Sequence, residues 1–239
     1  MYLPKQPYLW VALGQLTQSS NRTMKHDEAI ILFGKYPKEG FVKTRLAKTI
    51  GNAKALAFYK ECLANVFIQA SKIADNYSVY FYVAEAEDGA EAKQLAPRNI
   101  EVIGQKKCDL PGRIEDAFQA TFSKGHKKVV IFSTDVPGLT DKHIKKSIKT
   151  LGTNNIVVGP DSDGGYYCLG MDRMYPELCS VSYGSAVGMF QQVVDTSAEL
   201  DLRCQQLPEL SDVDTYQDLM VFKKTHPDVW QQHYNFLSD

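Results

Sequence analysis

The loop that follows the first apolar segment of the chain carries a high density of positive charge. Between residues 35 and 48 the sequence holds one anion, Glu39, and five cations, namely Lys35, Lys38, Lys43, Arg45 and Lys48. Lysine and arginine donate charge-assisted hydrogen bonds to phosphate oxygens, and Gly40 lets the backbone approach an anion closely. We therefore interpret Lys35 to Arg45 as a phosphate-binding loop. A solvated basic turn is the alternative, because runs of charge often face only water.

A set of aspartates follows the later apolar segments, at positions where strands are expected to end. They are Asp135, Asp161, Asp163, Asp212 and Asp214. Carboxylates that converge beyond several strand ends repel one another unless a cation lies among them. Oxygen-only ligands suit Mg²⁺ or Mn²⁺, which would also bridge the carboxylates to phosphates. Each aspartate has a structural alternative, since this residue is common in turns, and Asp212 or Asp214 could cap the last helix.

The segment Asp163-Gly164-Gly165 is interpreted as a tight loop whose glycines bring backbone close to a ligand. An EF-hand over Asp161 to Asp172 is excluded, because the sixth position of that motif needs glycine and Tyr166 stands there. Turn chemistry without any ligand is the other interpretation.

Strands alternate with helices along the chain, which predicts the element order of an α/β domain. Short apolar runs of the type found in fully buried strands occupy residues 29–34 and 129–132. Strands are also expected over 77–84, 100–103, 156–158 and 166–171, and an extended segment over 202–207. Apolar residues at helical spacing predict helices over 52–74 and from the cap at Asp109 through Phe122. Further helices are expected over 88–96, from Thr140 or Asp141 onward, over 185–198, and from Thr215 to the C-terminus with a break at Pro227. This alternation predicts a single, doubly wound, mostly parallel (mixed) sheet with helices on both faces. A ligand of such a sheet binds beyond the carboxyl ends of the strands.

Length and composition are those of an ordinary globular protein. The 239 residues carry a formal net charge of −1, so no overall field would hold the protein on nucleic acid or on an anionic membrane. No apolar run reaches the roughly 18 residues of a membrane span. Five scattered cysteines without a CxxC pair predict a reducing compartment, and hence a cytoplasmic protein. Residues 1–26 are expected to form an N-terminal extension, disordered or produced by a misassigned start, before one domain over residues 27–239.

Six motifs in this order resemble a known family. They are Lys35-x-Pro37-x-x-Gly40-x-x-Lys43-Thr-Arg-Leu46, Asp109-Leu110, Arg113, Ser133-Thr-Asp135-x-Pro137-x-Leu139, Gly159-Pro160-x-x-Asp163-Gly-Gly-Tyr-Tyr167 and Asp212-Val-Asp214-Thr-x-x-Asp218-Leu219. Their combination resembles the glycosyltransferase-A-like bacterial transferases, which include arsenosugar-biosynthesis glycosyltransferases. The group is similar to phospholactate guanylyltransferases and molybdenum-cofactor nucleotidyltransferases. The resemblance spans about residues 28–222 and implies a nucleotide-diphospho-sugar transferase (GT-A-like) fold.

The resemblance also implies roles for individual residues. Lys35, Gly40, Lys43, Arg45 and Arg113 would bind the nucleotide phosphates. Asp135 would be the main metal ligand, with Asp212 and Asp214 completing the metal site. Gly164, Gly165 and Tyr166 would line the acceptor or sugar side. Catalysis would fall to Lys43, Arg45 and Asp163, the last as a base for the acceptor hydroxyl.

Three functions follow from these residues and this resemblance. The first is an Mg²⁺- or Mn²⁺-dependent glycosyltransferase that uses a nucleotide-diphosphate sugar and a small-molecule acceptor. The second is a nucleotidyltransferase that moves a nucleoside monophosphate from a triphosphate and releases pyrophosphate, which the dense cation cluster favours. The third is a nucleotide-binding protein without catalysis, which would have little need of clustered, mutually repelling aspartates.

Overall fold

The computed structural model describes residues 26–84, 89–181 and 186–238. Of the N-terminal extension predicted for residues 1–26, only His26 lies within these ranges. The division into an extension and one transferase domain therefore stays a prediction.

The described residues contain one mixed sheet of seven strands. The strands are β1 (Glu28–Lys35), β2 (Ser78–Ala84), β3 (Glu101–Gly104), β4 (Lys128–Ser133), β5 (Ile156–Pro160), β6 (Tyr166–Met171) and β7 (Cys204–Gln206). Their order in the sheet is β3-β2-β1-β4-β6-β5-β7. β6 runs antiparallel to both of its neighbours, β4 and β5, and the remaining pairs are parallel. The predicted mostly parallel, mixed sheet is confirmed.

Helices follow most of the strands. The main helices are α1 (Thr44–Ile50), α2 (Asn52–Ser71), α3 (Gly89–Leu95), α4 (Leu110–Ser123), α5 (Asp141–Leu151), α6 (Met189–Glu199) and α7 (Tyr216–Thr225). Short helical turns cover Pro176–Leu178, Pro227–Val229, Trp230–Tyr234 and Asn235–Leu237. Within the described ranges, no helix is both long enough and apolar enough to cross a membrane.

The sheet is buried on both faces because its central strands carry apolar side chains in both directions. Ile30 and Leu32 of β1 belong to a core shared with α2 and α5. Ala29 and Ile31 of the same strand belong to a second core, shared with α4 and α6. Alternate residues of a strand point to opposite faces, so this division places helices on both sides of the sheet, as predicted.

The carboxyl ends of the central strands meet at one edge of the sheet. β1 and β4 are parallel neighbours in a register that sets Phe33 opposite Ser133. The chain leaves β1 toward β2 on one side, while β4 lies on the other, so this pair is a topological switch point where α/β sheets bind ligands. Antiparallel β6 begins at the same edge, because Cys168 lies opposite Phe132. The turn between β5 and β6 is thereby brought beside the end of β4.

The structure corrects the extent of the predicted basic loop. The loop was expected to run from Lys35 to Arg45, but α1 begins at Thr44, so Arg45 is helical. The helix forms because Leu46 is fully buried in a third apolar cluster, and it ends at Gly51, whose φ of 85° suits glycine. Lys43 thus precedes a helix rather than standing in mid-loop.

The last main helix is capped without the aspartates of the predicted metal site. Thr215 is the N-cap of α7, and its side chain accepts a hydrogen bond from the backbone N–H of Asp218. The Asp218 carboxylate accepts bonds from the backbone N–H groups of Asp214 and Thr215 in return. This capping box makes the alternative role of Asp212 or Asp214 as a helix cap wrong.

Candidate active site

Lys43 lies at the centre of the site, between two carboxylates. Its backbone is left-handed, with φ 46° and ψ 44°, and its side chain is only 2% exposed. The Nζ atom donates to Asp135 Oδ2 and to Asp214 Oδ1, at 2.8 Å each. A left-handed lysine costs about 1–2 kcal/mol relative to the right-handed form, and such strain persists where surrounding contacts hold it. The two ion pairs supply such contacts.

Three carboxylates converge around this lysine. Asp135 follows β4, whereas Asp212 and Asp214 come from the segment between β7 and α7. One oxygen of each lies within 4.8 Å of the others, and all three residues are half-buried. The Ser133 hydroxyl donates to Asp135 Oδ1 and fixes that carboxylate. A compact set of carboxylate oxygens suits Mg²⁺ or Mn²⁺. Two of the three carboxylates, Asp135 and Asp214, already have the Lys43 ammonium as a counter-cation.

The electrostatics of the cluster follow from burial and from these charges. Burial alone would lower the pKa of Lys43, but Asp135, Asp214 and Asp212 outweigh it and raise that pKa well above its usual range. Burial alone would raise the pKa of Asp135. The charge and hydrogen bond of Lys43, together with the hydrogen bond from Ser133, outweigh burial, so the pKa of Asp135 is lowered. Asp212 has no such partner among the described residues. Burial, together with Asp135, Asp214 and Asp163, raises the pKa of Asp212 to about 7 against the opposing charge of Lys43.

A first cavity, of about 400 Å³, opens on one side of the cluster. Four cationic residues line it: Lys35, Lys43, Arg45 and Arg113. Arg45 contacts the carboxylate cluster as well, since its Nη1 is 3.5 Å from Asp214 Oδ2. Its side chain is 57% exposed. The structure therefore brings together all the charged residues predicted to bind phosphate. Gly40 has the expected left-handed backbone, with φ 79°, but is not among the residues that line this cavity.

Arg113 is held at the wall of the first cavity by Gln105. Its Nη1 donates to Gln105 Oε1 at 3.2 Å, while its buried Nε has no hydrogen-bond partner among the described residues. Gln105 is itself fixed, because its amide donates to the carbonyls of Gly34 and Tyr82. Gln105 was not predicted from the sequence, since a single glutamine after a strand carries no pattern of its own.

Tyr59 anchors the start of the basic loop. Its hydroxyl accepts from the backbone N–H of Lys35 at 2.9 Å and lies 3.0 Å from the Lys35 carbonyl oxygen and 3.2 Å from Thr134 Oγ1. Gly34 is needed beside it, because a Cβ there would lie 2.0 Å from Thr134 Oγ1. The sequence analysis missed this tyrosine, which stands in the predicted helix 52–74 like any core residue.

A second cavity, of about 240 Å³, lies on the other side of the cluster. Asp135 and Asp214 line both cavities, and Asp212 lines the second. The predicted residues Asp163, Gly165 and Tyr166 line it too, whereas Gly164 shapes the turn with φ 89° and is not part of the lining. The carboxylate cluster is thus the boundary between a cationic cavity and an acidic one.

Asp161 shapes the turn that closes the second cavity. Its Oδ1 accepts from the backbone N–H of Gly165 at 2.7 Å and from that of Asp163 at 3.3 Å. Burial, and then Asp163 and Asp212, raise the pKa of Asp161 to about 8. The sequence analysis counted Asp161 among the convergent carboxylates but gave it no role. The available signal was its spacing from the Asp-Gly-Gly turn, which is typical of a carboxylate that caps backbone amides.

The chain is similar to a family of bacterial proteins and to several solved structures. The profile of a family described as "Uncharacterized protein conserved in bacteria (DUF2064)" matches residues 67–185. A solved structure from Desulfovibrio desulfuricans G20, provisionally assigned as a nucleotide-diphospho-sugar transferase, superposes with a TM-score of 0.80 at 25% identity. The match covers 87% of this chain and 92% of that one. The chain has the nucleotide-diphospho-sugar transferase fold.

More distant structures share this fold. Rv0371c from Mycobacterium tuberculosis H37Rv, solved in complex with manganese, gives a TM-score of 0.51 at 13% identity over 83% of this chain and 98% of that one. The 4-diphosphocytidyl-2C-methyl-D-erythritol synthase of Anaerococcus prevotii DSM 20548 gives 0.54 at 11% identity over 83% and 98%. None of the curated proteins compared with the chain matches it. The relationship to glycosyltransferase-A-like transferases that the motifs suggested is confirmed, and it supports the prediction of a transferase enzyme.

Proposed function

We propose that this protein is a divalent-metal-dependent glycosyltransferase that takes its sugar from a nucleotide-diphosphate sugar. The observation that carries the proposal is the position of the carboxylate cluster, which separates a cavity lined by four cations from a cavity lined by aspartates. A negatively charged donor and a hydroxyl acceptor would meet at such a boundary. Fold alone would not support an activity, because one fold serves many chemistries.

The diphosphate of the donor would lie in the first cavity. Lys35, Arg45 and Arg113 would donate to its oxygens, and the basic residues together would offset the charge that develops as the nucleoside diphosphate leaves. Lys43 would contribute both to the carboxylate cluster and to diphosphate binding. Its ammonium donates to the carboxylates, and the residue also lines the first cavity. Phe41 lines this cavity with half of its surface exposed, which suits stacking on the base or the ribose.

Asp135, Asp212 and Asp214 would hold the metal ion. These residues fit a divalent cation because one carboxylate oxygen of each lies within 4.8 Å of the others and because all three residues are only half-buried. When bound, Mg²⁺ or Mn²⁺ neutralises phosphate charge and favours departure of the diphosphate. The manganese complex of the related fold supports a divalent ion without deciding between the two metals.

The acceptor hydroxyl would be activated from the second cavity. Its oxygen attacks the anomeric carbon of the sugar, the bond from that carbon to the diphosphate oxygen breaks, and the hydroxyl proton goes to Asp163. Asp163 is exposed and lines this cavity, and its Oδ1 accepts from the backbone N–H of Gly165 at 3.3 Å. Asp161 lies beside it and can share the proton, since its pKa is raised to about 8.

Nucleotidyl transfer is the second candidate, and the number of cations in the first cavity favours it. Four basic residues would suit a triphosphate at least as well as a diphosphate. Here the acceptor oxygen attacks the α-phosphorus, and the bond to the leaving pyrophosphate breaks. Assays for released pyrophosphate and for released nucleoside diphosphate distinguish the two reactions directly.

Isothermal titration with and without Mg²⁺ tests the shared part of both candidates. We expect at least one nucleotide or nucleotide sugar to bind more than tenfold tighter with Mg²⁺ present, and Asp214→Asn to abolish that dependence. Asp75→Asn is the matched control, because Asp75 is an exposed residue that lines neither cavity. Affinity that is independent of Mg²⁺ for every nucleotide tested would contradict the proposal.

A further inference from the structure

The cations that line the first cavity differ in how far their charge is already compensated. Lys43 and Arg45 are both paired with Asp214. Arg113 forms no ion pair with the residues that the structure describes, and its Nη1 donates instead to the neutral amide oxygen of Gln105. Its buried Nε has no hydrogen-bond partner within the described ranges. The charge of Arg113 is therefore available to an anionic ligand.

Gln105 is held at a point where two strands end. Its backbone N–H donates to the Val83 carbonyl at 2.9 Å, and its side-chain Nε2 donates to the carbonyls of Gly34 and Tyr82 at 3.0 and 2.9 Å. Carbonyls only accept hydrogen bonds and a guanidinium only donates them, so these neighbours fix which end of the amide faces Arg113. The Gln105 side chain therefore links the carboxyl ends of β1 and β2 to the helix α4.

The same hydrogen bonds leave Gln105 without a donor for a phosphate group. An amide nitrogen carries two hydrogens, and here the two strand carbonyls accept both of them. Phosphate oxygens accept hydrogen bonds, so the amide oxygen of Gln105 does not match them. An effect of Gln105 on a phosphate-bearing ligand must therefore pass through Arg113, which lines the first cavity beside it.

We infer that Gln105 is a positioning residue for Arg113. It orients the guanidinium at the wall of the first cavity and, being neutral, leaves the positive charge uncompensated for a phosphate-bearing ligand. A carboxylate in its place would hold the guanidinium as well but would offset its charge. The inference rests on the proposed function for the identity of the ligand as a nucleotide. Inorganic pyrophosphate tests it without that identity.

A double-mutant cycle measures whether Gln105 acts through Arg113. Gln105→Met and Arg113→Met remove the polar groups at similar side-chain length, singly and together, and isothermal titration measures the affinity for pyrophosphate in the presence of Mg²⁺. We expect Gln105→Met to weaken binding about tenfold in the wild-type background and less than about twofold in the Arg113→Met background. Arg113→Met alone should weaken binding at least as much as Gln105→Met. Gln119→Met, at an exposed position of α4, is the matched control and should leave the affinity unchanged.

A purely structural role of Gln105 at the strand ends predicts a different result. Gln105→Met would then weaken binding by the same factor in both backgrounds, and that result overturns the inference. Unchanged affinity in the single variant, or no binding of pyrophosphate to the wild-type chain, overturns it as well. Urea unfolding of each variant distinguishes lost folding from lost binding. If Gln105→Met does not fold, Gln105→Asn keeps an amide that is one methylene shorter and serves in the same comparison.

The proposed function is tested separately with nucleotides. UDP, GDP, CDP and ADP are titrated into the wild-type chain with and without Mg²⁺. If none of them binds in a Mg²⁺-dependent way while the pyrophosphate cycle shows the expected coupling, the proposed function fails and the role of Gln105 stands. If one of them binds in that way and the cycle shows no coupling, the proposed function survives and the role of Gln105 is wrong.

Discussion

Lys43 serves the folded protein as a fixed counter-cation for its acidic cluster. The side chain is 2% exposed and bonds two carboxylates that repel each other, so its charge compensates them before any metal binds. A buried ion pair is weak evidence for net stability, but removing one partner leaves charges uncompensated. We therefore expect a bound metal ion to restore the stability that is lost when Lys43 is replaced.

Lys43→Met should lower the free energy of unfolding by about 3 kcal/mol at pH 8 in the presence of EDTA. Saturating Mg²⁺ should recover more stability in this variant than in the wild-type chain, because the metal replaces the missing cation. Urea unfolding with and without Mg²⁺ measures both effects. Lys48→Met, at an exposed position of α1, is the control and should change little. Equal responses of the two variants to Mg²⁺ would contradict this account.

Asp212 makes the stability of the metal-free protein depend on pH. Its pKa is about 7 in the folded chain, above the roughly 4 of an unfolded aspartate, so the folded state holds a proton over that interval. Its contribution to stability is therefore lost as the pH rises from about 4 to about 7. Asp212→Asn cannot titrate, so the stability of wild type minus that of the variant should fall over this range. Urea unfolding in EDTA at pH 4.5, 6 and 8 measures the difference, and a difference that rises with pH refutes the assignment.

Asp163 should matter for turnover and much less for donor binding. It lines the second cavity and is exposed, so Asp163→Asn keeps the shape of the turn while removing the proposed base. We expect kcat to fall by about 100-fold or more and the affinity for nucleotide to change less than threefold. Steady-state kinetics and isothermal titration provide the two values. Asp195→Asn, on the exposed surface of α6, serves as the control. Loss of nucleotide affinity instead would move Asp163 to the donor side.

At the scale of elements, the segment from β1 to α1 forms one wall of the first cavity. Tyr59 of α2 holds its first residue, Lys35, and the buried Leu46 holds the helix that follows. Phe41 lies between these two anchors with its ring half exposed and with Lys38 Nζ 4.8 Å from its centroid. A half-exposed ring buries little area in the core, so its removal tests the stacking role that the proposed function gives to it.

Phe41→Ala should weaken binding of the nucleotide about tenfold, which corresponds to about 1.4 kcal/mol, and leave unfolding unchanged within about 0.5 kcal/mol. The reason is the loss of ring stacking on the base or the ribose. Isothermal titration with Mg²⁺ measures the affinity. Val221→Ala, which also trims a half-exposed apolar residue, is the control. Undiminished affinity in the Phe41 variant would place the base elsewhere.

The elements show which features of the sequence carried structural information. The apolar run at residues 29–34 predicted β1 because a strand buried on both faces needs apolar side chains in succession. The seven-residue helix α1 was missed, since its N-cap is a left-handed lysine with no capping side chain. The convergence of Asp135 with Asp212 and Asp214 followed from strand ends. The place of the Lys43 ammonium among them did not, because long-range side-chain contacts leave no periodic trace.

At the scale of the whole molecule, the C-terminal segment packs against α1, which contributes to the first cavity. Trp230 and Tyr234 join Leu46 and Phe58 in one buried cluster, and the Tyr234 hydroxyl lies 3.6 Å from Cys62 Sγ. The helix that begins next to Lys43 therefore rests on the last residues of the chain. The sequence predicted a terminal helix with a break at Pro227 but gave no indication of this contact.

Trp230→Ala should cost about 3–5 kcal/mol, as large-to-small changes in a core do, and should reduce Mg²⁺-dependent nucleotide affinity by loosening α1. Urea unfolding and titration of the variant below its unfolding midpoint measure the two effects. Gln231→Ala, at an exposed neighbouring position, is the control. Lost stability with full nucleotide affinity would show that α1 does not depend on this cluster.

The antiparallel strand β6 has a consequence for how such an enzyme diversifies. Because β6 runs in the reverse direction, the hairpin of residues 156–171 places Asp161, Asp163 and Tyr166 at the edge of the sheet where β1 and β4 end. The residues that line the first cavity come instead from positions 33–135, together with Asp214. The second cavity adds residues of this hairpin to five residues that it shares with the first cavity, namely Phe33, Leu110, Ser133, Asp135 and Asp214. Under the proposed function, exchange of the hairpin between relatives would change the wall that only the second cavity has, while the lining of the first cavity stays the same.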